Sequence, residues 1–184
     1  SQVHRDLASG LSCPVGFKNG TAGSVSVAVG AVRAARRPHH FLSVTDEGRS
    51  AIFATTGNGD THIILRGGSK GPNYDAASVN QAAEVLEGAG VEPKIMIDLS
   101  HANSSKQHER QMPVGRDVGA QVAAGDHRIF GVMIESHLVA GRQDQKPNVP
   151  LVYGQSITDA CIAWDDTVGV LTDLAASVRA RRGV

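Results

Sequence analysis

The sequence predicts an α/β protein built on a parallel sheet, and three observations support this class. Short apolar stretches alternate with helix-like stretches through the whole chain, in the order of βα units. The apolar stretches are continuous, as in strands that are buried on both faces. Polar residues stand where each predicted strand ends. An open doubly wound sheet and a (β/α)8 barrel both fit the alternation, and the polar strand ends favour the barrel, whose active sites are built there.

The first part of the chain supplies two predicted strands and a helix. CPVGFK, residues 13–18, is the first strand. Residues 21–37 carry apolar side chains at the spacing of an amphipathic helix, and Pro38 ends it. HFLSV, residues 40–44, is the second strand of the predicted parallel sheet.

Two β-rich segments follow and predict an inserted hairpin. They are SAIFATT, residues 50–56, and THIILRG, residues 61–67. The residues between them, 57–60, are Gly, Asn, Gly and Asp, which tolerate the positive φ of a tight turn. We therefore expect these two strands to pair with each other, outside the series of βα units.

The second half of the chain continues the alternation of helix and strand. The predicted elements are a helix over 75–88, a strand over 95–97, a helix interrupted near Pro113, a strand over 128–135, a polar loop with Pro147 and Pro150, and a last helix over 165–181. Four βα units with one inserted hairpin are therefore expected.

Composition limits the function classes. The chain has 184 residues, of which 41% are hydrophobic, and this predicts one domain over residues 1–184. Its 18 basic residues balance 18 acidic ones, which argues against nucleic-acid and membrane-surface partners. The sequence shows neither an apolar run long enough for a membrane span nor the order of a signal peptide, so we expect a cytoplasmic protein. Because the chain opens on Ser1 without a methionine, we expect a fragment or a processed chain.

The polar strand ends suggest a metal site. Lys18, Thr45, His101 and Glu135 each follow an apolar stretch, and Asp159 adds a carboxylate in the segment after the last strand. A buried carboxylate needs a cation, which an Arg, a Lys or a metal could supply. One imidazole and two carboxylates suit Mn²⁺, Fe²⁺ or Zn²⁺ better than Ca²⁺. The alternative for His101 is a capping or core histidine bonded to a backbone carbonyl.

Two cations suggest an anionic substrate. Arg66 precedes two glycines that let backbone amides approach a ligand, and a guanidinium matches phosphate or carboxylate oxygens in two-point fashion. Lys18 ends the first strand. The alternatives are a surface salt bridge for Arg66 and a solvated strand end for Lys18. Asn19 and Gly20, directly after Lys18, read as ordinary turn residues.

Several segments, taken in order, resemble the class I 3-deoxy-D-arabino-heptulosonate 7-phosphate (DAHP) synthases, which catalyse the first step of the shikimate pathway. These segments are SCPVGFKNGT, HIILRGG followed by PNY, MIDLSHANSSKQ, GVMIESHL and YGQSITDACIAW. The resemblance implies a (β/α)8 barrel of which this chain is the second half. It also implies a divalent metal ion (Mn, Fe, Co or Zn) and the condensation of phosphoenolpyruvate with erythrose 4-phosphate, which releases phosphate.

The resemblance assigns a role to each residue of these motifs. His101 in DLSHANSS, Glu135 in MIESH and Asp159 in SITDAC correspond to metal ligands. Lys18 in GFKNG corresponds to a catalytic lysine beside the carboxylate of phosphoenolpyruvate, and Arg66 in ILRGG to the arginine that binds its phosphate. Related enzymes are dimers or tetramers, so a homo-oligomer is expected.

Three family motifs do not occur in the 184 residues. They are GPCS, whose cysteine is the fourth metal ligand, KPRT, which binds the aldehyde substrate, and GART, which contacts the phosphate. A half-barrel would also leave two open sheet edges. We therefore expect the chain to need the other half for catalysis.

The resemblance also predicts an effector site. Leu11, Ser12, Phe41 and Ser43 match positions of the effector pocket in the phenylalanine-sensitive type, whereas Phe53 departs from the smaller aliphatic residue of that type. The four residues could instead pack the rim of the barrel. Two other functions stay open: a related phosphoenolpyruvate-dependent aldol synthase, such as one that makes 3-deoxyoctulosonate 8-phosphate, and a non-catalytic half-barrel or regulatory module.

Overall fold

A computed structural model describes residues 1–183 and shows alternating strands and helices. In chain order the elements are α1 (Gln2–Ser9), β1 (Val15–Lys18), α2 (Ser26–Ala35), β2 (His40–Val44), β3 (Ser50–Ala54), β4 (Thr61–Leu65), α3 (Ala76–Gly88), β5 (Ile95–Asp98), α4 (Gln111–Ala123), β6 (Ile129–Met133), β7 (Val139–Arg142), β8 (Gln155–Ser156) and α5 (Trp164–Arg182). A 3₁₀ turn over His108–Arg110 leads directly into α4.

The main sheet has four strands in the order β1, β4, β5, β6, and neighbouring strands are parallel. Its core face carries Ile63, Leu65, Ile95 and Ile97, each at most 1% exposed, which belong to one buried cluster with apolar residues of α2, α3 and α4. A helix follows each of the four strands before the next one begins or the chain ends. The predicted α/β class with a parallel sheet is confirmed.

The opposite face of the sheet carries Lys18 and Asp98, at the ends of β1 and β5, because side chains alternate along a strand. This face is crowded near its start. A Cβ at Gly16 would lie 2.5 Å from Nε2 of His62 and 2.5 Å from Cδ1 of Ile64. Glycine at this position therefore lets the two larger side chains of β4 cross above β1.

The predicted hairpin is wrong. β4 pairs in parallel with β1 and β5, and the antiparallel hairpin is formed by β2 and β3, with Phe41 opposite Phe53. Its turn lies at residues 45–49, where Thr45 N donates to Arg49 O at 2.9 Å and Gly48 has a φ of 78°. HFLSV is therefore no strand of the parallel sheet, and Thr45 does not lie at the edge of that sheet.

Burial explains this difference. All five residues of β4 are buried, as in a central strand, whereas β2 alternates between exposed and half-buried residues. The glycine- and asparagine-containing segment packs against the end of α2. A Cβ on Gly57 would lie 2.4 Å from Arg36 O, and Asn58 N donates to Ala35 O at 2.9 Å. Tertiary packing thus overrides the turn chemistry on which the prediction rested.

The other elements follow the predicted order with three differences. α2 begins at Ser26, because residues 21–25 form the turns that lead into it. Pro113 is the third residue of α4 and does not interrupt it, since the first turn of a helix has no use for the missing N–H. The predicted polar loop contains β7 and β8, which pair with each other.

The long helix α5 spans 19 residues and carries charged side chains throughout. Within residues 1–183, no helix combines the length and the apolar character that crossing a membrane requires.

Candidate metal and substrate site

The polar residues predicted from the strand ends, apart from Thr45, gather at one edge of the main sheet. Lys18 is the last residue of β1, Arg66 follows β4 directly, His101 lies three residues after β5, and Glu135 lies two residues after β6. Because the strands are parallel, their carboxyl ends meet at the same edge. The name "sheet-edge site" is used for Lys18, Arg66, Asp98, His101, Glu135 and Asp159.

Three side chains of this site form a cluster that could hold a metal ion. His101 Nε2 lies 3.7 Å from Glu135 Oε1 and 4.0 Å from Asp159 Oδ2. One ligand atom from each residue lies within 4.8 Å of the other two. The His101 and Glu135 side chains are 21% and 23% exposed, whereas that of Asp159 is 72% exposed. Two of the groups are thus embedded in the protein, and the third comes from a surface segment.

Glu135 is fixed by a buried amide and a hydroxyl. Gln111, which is fully buried in the first turn of α4, accepts from Glu135 N at 2.8 Å and donates to Glu135 O at 2.9 Å. Ser100 Oγ donates to Glu135 Oε2 at 2.6 Å, which leaves Oε1 directed toward His101. The carboxylate therefore has a defined orientation in the absence of a ligand.

Asp159 is brought to the cluster by a short parallel bridge. Ile162 N donates to Glu135 O at 3.0 Å, and His137 N donates to Ile162 O at 3.0 Å. These bonds join the segment after β8 to the segment after β6, so the carboxylate three residues before Ile162 faces Glu135. No spacing of residues along the chain predicts this bridge.

Lys18 pairs with a carboxylate that the sequence reading missed. Its Nζ lies 2.9 Å from Oδ2 of Asp98, whose side chain is fully buried. Asp98 ends the apolar strand IMID, just as Glu135 follows the apolar stretch of β6. The rule that a buried carboxylate needs a cation would have identified Asp98 as well.

Asn19 is a support for Arg66, so its reading as an ordinary turn residue is wrong. It is 3% exposed, its Oδ1 accepts from Arg66 N at 2.8 Å, and its Nδ2 donates to Gly67 O at 2.9 Å. Asn73 Oδ1 accepts from Gly67 N at 2.6 Å. The backbone around Arg66 is thus held from two sides, while Nε of Arg66 is buried without an acceptor among residues 1–183. A buried donor of this kind suits an anionic ligand.

The loops after β4 and β5 are packed on each other. Ala102 N donates to Arg66 O at 3.2 Å, and a Cβ on Gly67, which has a φ of 70°, would lie 2.8 Å from Cβ of Ala102. Asn103 Nδ2 donates to Leu65 O at 3.1 Å and to Asp98 O at 2.7 Å. These contacts fix Arg66 relative to the segment that carries His101.

A cavity of about 120 Å³ opens beside the cluster. Besides the three cluster residues it is lined by Ser100, Lys106, His108 and Ala160. Lys106 and His108 lie in the same loop as His101, and sequence reasoning gave them no role. Lys106 adds an exposed cation to the rim of an otherwise acidic cavity.

Cys161 lies next to the cluster without belonging to it. Burial raises the pKa of its thiol, and the charges of Glu135 and Asp159 act in the same direction, against a smaller lowering by the hydrogen bond with Ser156. The thiol is therefore kept protonated beside the two carboxylates.

The four residues predicted for an effector site lie in two segments. Leu11 and Ser12 follow α1, and Phe41 and Ser43 share the less exposed face of β2. The ring of Phe41 stacks on that of Phe53 with centroids 6.2 Å apart.

Fold and site together define an α/β protein in which two cationic side chains and a cluster that could hold a metal ion meet at the carboxyl edge of a parallel sheet. The chain belongs to the DAHP synthetase I family, whose profile matches residues 1–172.

Relatives from bacteria and fungi match over nearly the whole chain. The Phe-sensitive phospho-2-dehydro-3-deoxyheptonate aldolase of Escherichia coli is 61% identical over 183 residues, covering 100% of this chain and 52% of the relative. The tyrosine-inhibited enzyme of Schizosaccharomyces pombe is 56% identical, covering 99% of this chain and 50% of the relative. The chain thus spans about half the length of the curated relatives it matches.

A solved structure matches as well. The phospho-2-dehydro-3-deoxyheptonate aldolase of Francisella tularensis superimposes with a TM-score of 0.94 at 53% identity, covering 99% of this chain and 53% of that one.

Proposed function

We propose that the chain is the C-terminal half of a (β/α)8 barrel and forms one domain that, with an N-terminal half, works as a DAHP synthase. The reaction joins phosphoenolpyruvate, erythrose 4-phosphate and water to give 3-deoxy-D-arabino-heptulosonate 7-phosphate and phosphate. The observation that carries the proposal is the meeting of the His101–Glu135–Asp159 cluster with Lys18 and Arg66 at one sheet edge.

The sheet supports the half-barrel part of this proposal. Among residues 1–183, β1 and β6 each have one partner in the main sheet, so both edges are open. An open strand edge presents unpaired backbone N–H and C=O groups, which invite pairing with another chain. An N-terminal half with four more strands would close both edges at once.

The chemistry of the donor set supports a divalent metal. An imidazole and two carboxylates supply mixed nitrogen and oxygen ligands, which suit Mn²⁺, Fe²⁺, Co²⁺ or Zn²⁺. The two carboxylates of Glu135 and Asp159 face each other across His101 and would repel without a cation between them. When bound, the metal would supply Lewis-acid polarisation of the aldehyde carbonyl.

Lys18 and Arg66 would bind and orient phosphoenolpyruvate. Arg66 would take the phosphate with its guanidinium fork, and Lys18 would lie beside the carboxylate. Holding the double bond of phosphoenolpyruvate next to the aldehyde makes the bimolecular reaction effectively unimolecular, which lowers its entropic cost. The Lys18 ammonium, fixed by Asp98 at 2.9 Å, is the group of this chain that would donate the proton gained by the aldehyde oxygen.

The aromatic pair on the hairpin supports an effector site. Phe41 and Ser43 share one face of β2, and Phe53 stacks on Phe41. The names of relatives include Phe-sensitive, tyrosine-inhibited and Trp-sensitive enzymes. We assign Leu11, Ser12, Phe41 and Ser43 to the binding of an aromatic amino acid. We also propose that the protein assembles into a homo-oligomer. Inhibition by phenylalanine, tyrosine and tryptophan, assayed one at a time, would identify the effector.

The first test is titration calorimetry with Mn²⁺ and with phosphoenolpyruvate. The chain is titrated alone and after mixing with the separately expressed N-terminal half of the Escherichia coli relative. Product formation is then assayed with erythrose 4-phosphate and, in parallel, with arabinose 5-phosphate. A His101→Ala variant is the matched control for the metal.

We expect both ligands to bind to the mixture and heptulosonate to form from erythrose 4-phosphate only. Product from arabinose 5-phosphate would favour the related aldol synthase. Absence of both binding and product in the mixture would contradict the proposal and favour the alternative function, a non-catalytic half-barrel or regulatory module.

A further inference from the structure

Asp98 contacts two residues to which the proposed function gives different tasks. Its Oδ2 lies 2.9 Å from Lys18 Nζ and 2.8 Å from His101 Nδ1. Its Oδ1 accepts from Ser100 N at 2.9 Å. The carboxylate is thus shared between the lysine assigned to phosphoenolpyruvate and the histidine assigned to the metal.

Because Asp98 is buried, its carboxylate needs a charged partner. The Asp98 side chain is fully buried, and a buried carboxylate is tolerated only when it is paired and hydrogen-bonded. Lys18, at 32% exposure, supplies the compensating charge from the side of the cavity. The same pairing holds the lysine ammonium in one place, although the lysine side chain is long and flexible.

The contact with His101 decides which ring nitrogen faces the cluster. Asp98 Oδ2 lies against Nδ1, so Nε2 is the atom directed at Glu135 and Asp159, 3.7 and 4.0 Å away. The close approach of Nδ1 and Oδ2 is not aligned as a hydrogen bond, so small ring movements are needed to form one. A carboxylate behind a histidine is the usual device that keeps the other nitrogen unprotonated for a metal.

The backbone at His101 does not fix the ring by itself. His101 has a φ of 54°, a left-handed conformation that non-glycine residues rarely adopt, and lies in a turn instead of a regular element. Ala102, the next residue, is held to Arg66 O at 3.2 Å, which fixes the path of the chain but not the imidazole. The contact of His101 Nδ1 with Asp98 Oδ2 is therefore the feature on which the proposed orientation of the ring rests.

We propose that Asp98 is a positioning residue that couples the metal site to the phosphoenolpyruvate site by holding Lys18 and His101 with one carboxylate. This inference rests on the proposed function. Replacing Asp98 by Asn keeps the shape of the side chain and removes the charge. Both sites then lose their support together, since Lys18 loses its counter-ion and His101 loses the negative charge beside Nδ1.

Two matched variants separate the sites. Ser100→Ala removes the 2.6 Å bond from Ser100 Oγ to Glu135 Oε2 and acts on the metal side alone. Arg66→Lys removes the guanidinium fork and acts on the substrate side alone. Asp98→Asn is expected to weaken the binding of Mn²⁺ by about 10–100-fold. It is expected to weaken the binding of phosphoenolpyruvate as well, while each control weakens one of the two.

The experiment measures both dissociation constants for the wild type and the three variants, in the mixture with the N-terminal half. A one-sided effect of Asp98→Asn, with the other constant within about threefold of the wild type, would overturn the inference. If the wild type binds neither ligand, the proposed function falls and the inference with it. Thermal unfolding of each variant shows whether the protein remains folded.

A second measurement needs no variant. The ¹⁵N spectrum of the metal-free wild-type chain, with its histidines labelled, reports which nitrogen of His101 carries the proton, and a His101→Gln sample assigns the signal. We expect the proton on Nδ1. A proton on Nε2 would show that Asp98 does not orient the ring and would overturn the inference even if Asp98→Asn fails to fold.

Discussion

The sheet-edge site and the β2–β3 hairpin are built in opposite ways. At the sheet edge, the Lys18 side chain pairs with the fully buried Asp98, and the backbone of Glu135 is bonded to the fully buried Gln111. On the hairpin, Leu42 and Ile52 face each other across the strands and are 76% and 75% exposed. The hairpin pairs only with itself, within residues 1–183, whereas the site is held by several elements. The chain thus combines an organised site with an apolar surface that its described residues leave exposed.

The strongest test of the organised site is the loss of one cluster carboxylate. Glu135→Gln keeps the acceptor for Ser100 and the backbone bonds to Gln111, so the fold should remain. We expect Mn²⁺ to bind more than about 100-fold more weakly, because groups that merely orient a ligand already account for about 10–100-fold. Titration calorimetry measures it. Glu109→Gln, at an exposed carboxylate paired with His108, is the control. A change below threefold would mean that the cluster binds no metal.

A smaller effect is expected from the amide that holds Glu135. Gln111→Leu leaves Glu135 N without its acceptor in a buried place, while Glu135 O keeps its bond from Ile162 N. The free energy of unfolding should fall by about 1–3 kcal/mol, the cost of an unsatisfied buried group. Urea unfolding measures it, with the exposed Gln107→Leu as control. Equal stability of the two variants would show that the sheet edge is no more organised than the surface.

The sheet edge was partly predictable because a strand end is a local feature. Lys18, Arg66, His101 and Glu135 stand where apolar runs stop, and any such run in a parallel sheet delivers its next residues to the same edge. Asp98 was predictable by the argument used for Glu135. The asparagine network was not, because Asn19 supports Arg66 across 47 positions of sequence and no spacing announces such a bond.

The hairpin shows the opposite limit. Residues 57–60 have the composition of a tight turn. Nevertheless, β3 pairs with the preceding strand β2, and β4 belongs to the main sheet. Turn propensity is worth little against the burial of five consecutive residues in β4, each of whose apolar side chains stabilises the fold by about 1.5–3 kcal/mol. The apolar run of Ile63, Ile64 and Leu65 was the better guide.

The pH dependence of stability should include a contribution from a histidine of the sheet. Burial lowers the pKa of His62, in β4, from its ordinary value of 6.5. The unfolded chain therefore binds more protons, so this contribution is complete above about pH 6.5 and is lost as the pH falls toward the lowered folded pKa.

Urea unfolding between pH 7.5 and 5.5 measures this slope. His62→Gln should remove part of the loss of stability on acidification, and His40→Gln, at an exposed position of β2, is the control for replacing a histidine. Equal slopes for the wild type and His62→Gln would contradict the prediction.

The smallest effect is expected on the hairpin surface. Leu42→Thr and Ile52→Thr change side chains that are about three-quarters exposed. Threonine is β-branched and is favoured in strands. Each should change the free energy of unfolding of the chain by less than about 0.5 kcal/mol, as at other surface positions. Repeating the measurement after mixing with the N-terminal half tests whether this surface remains free. A loss above about 1 kcal/mol in the mixture alone would place the hairpin at a contact between chains, because only a partner could bury what the chain by itself leaves exposed. A loss of that size in the chain alone would show that the exposed hairpin surface already contributes to stability, and would contradict the contrast with the organised site.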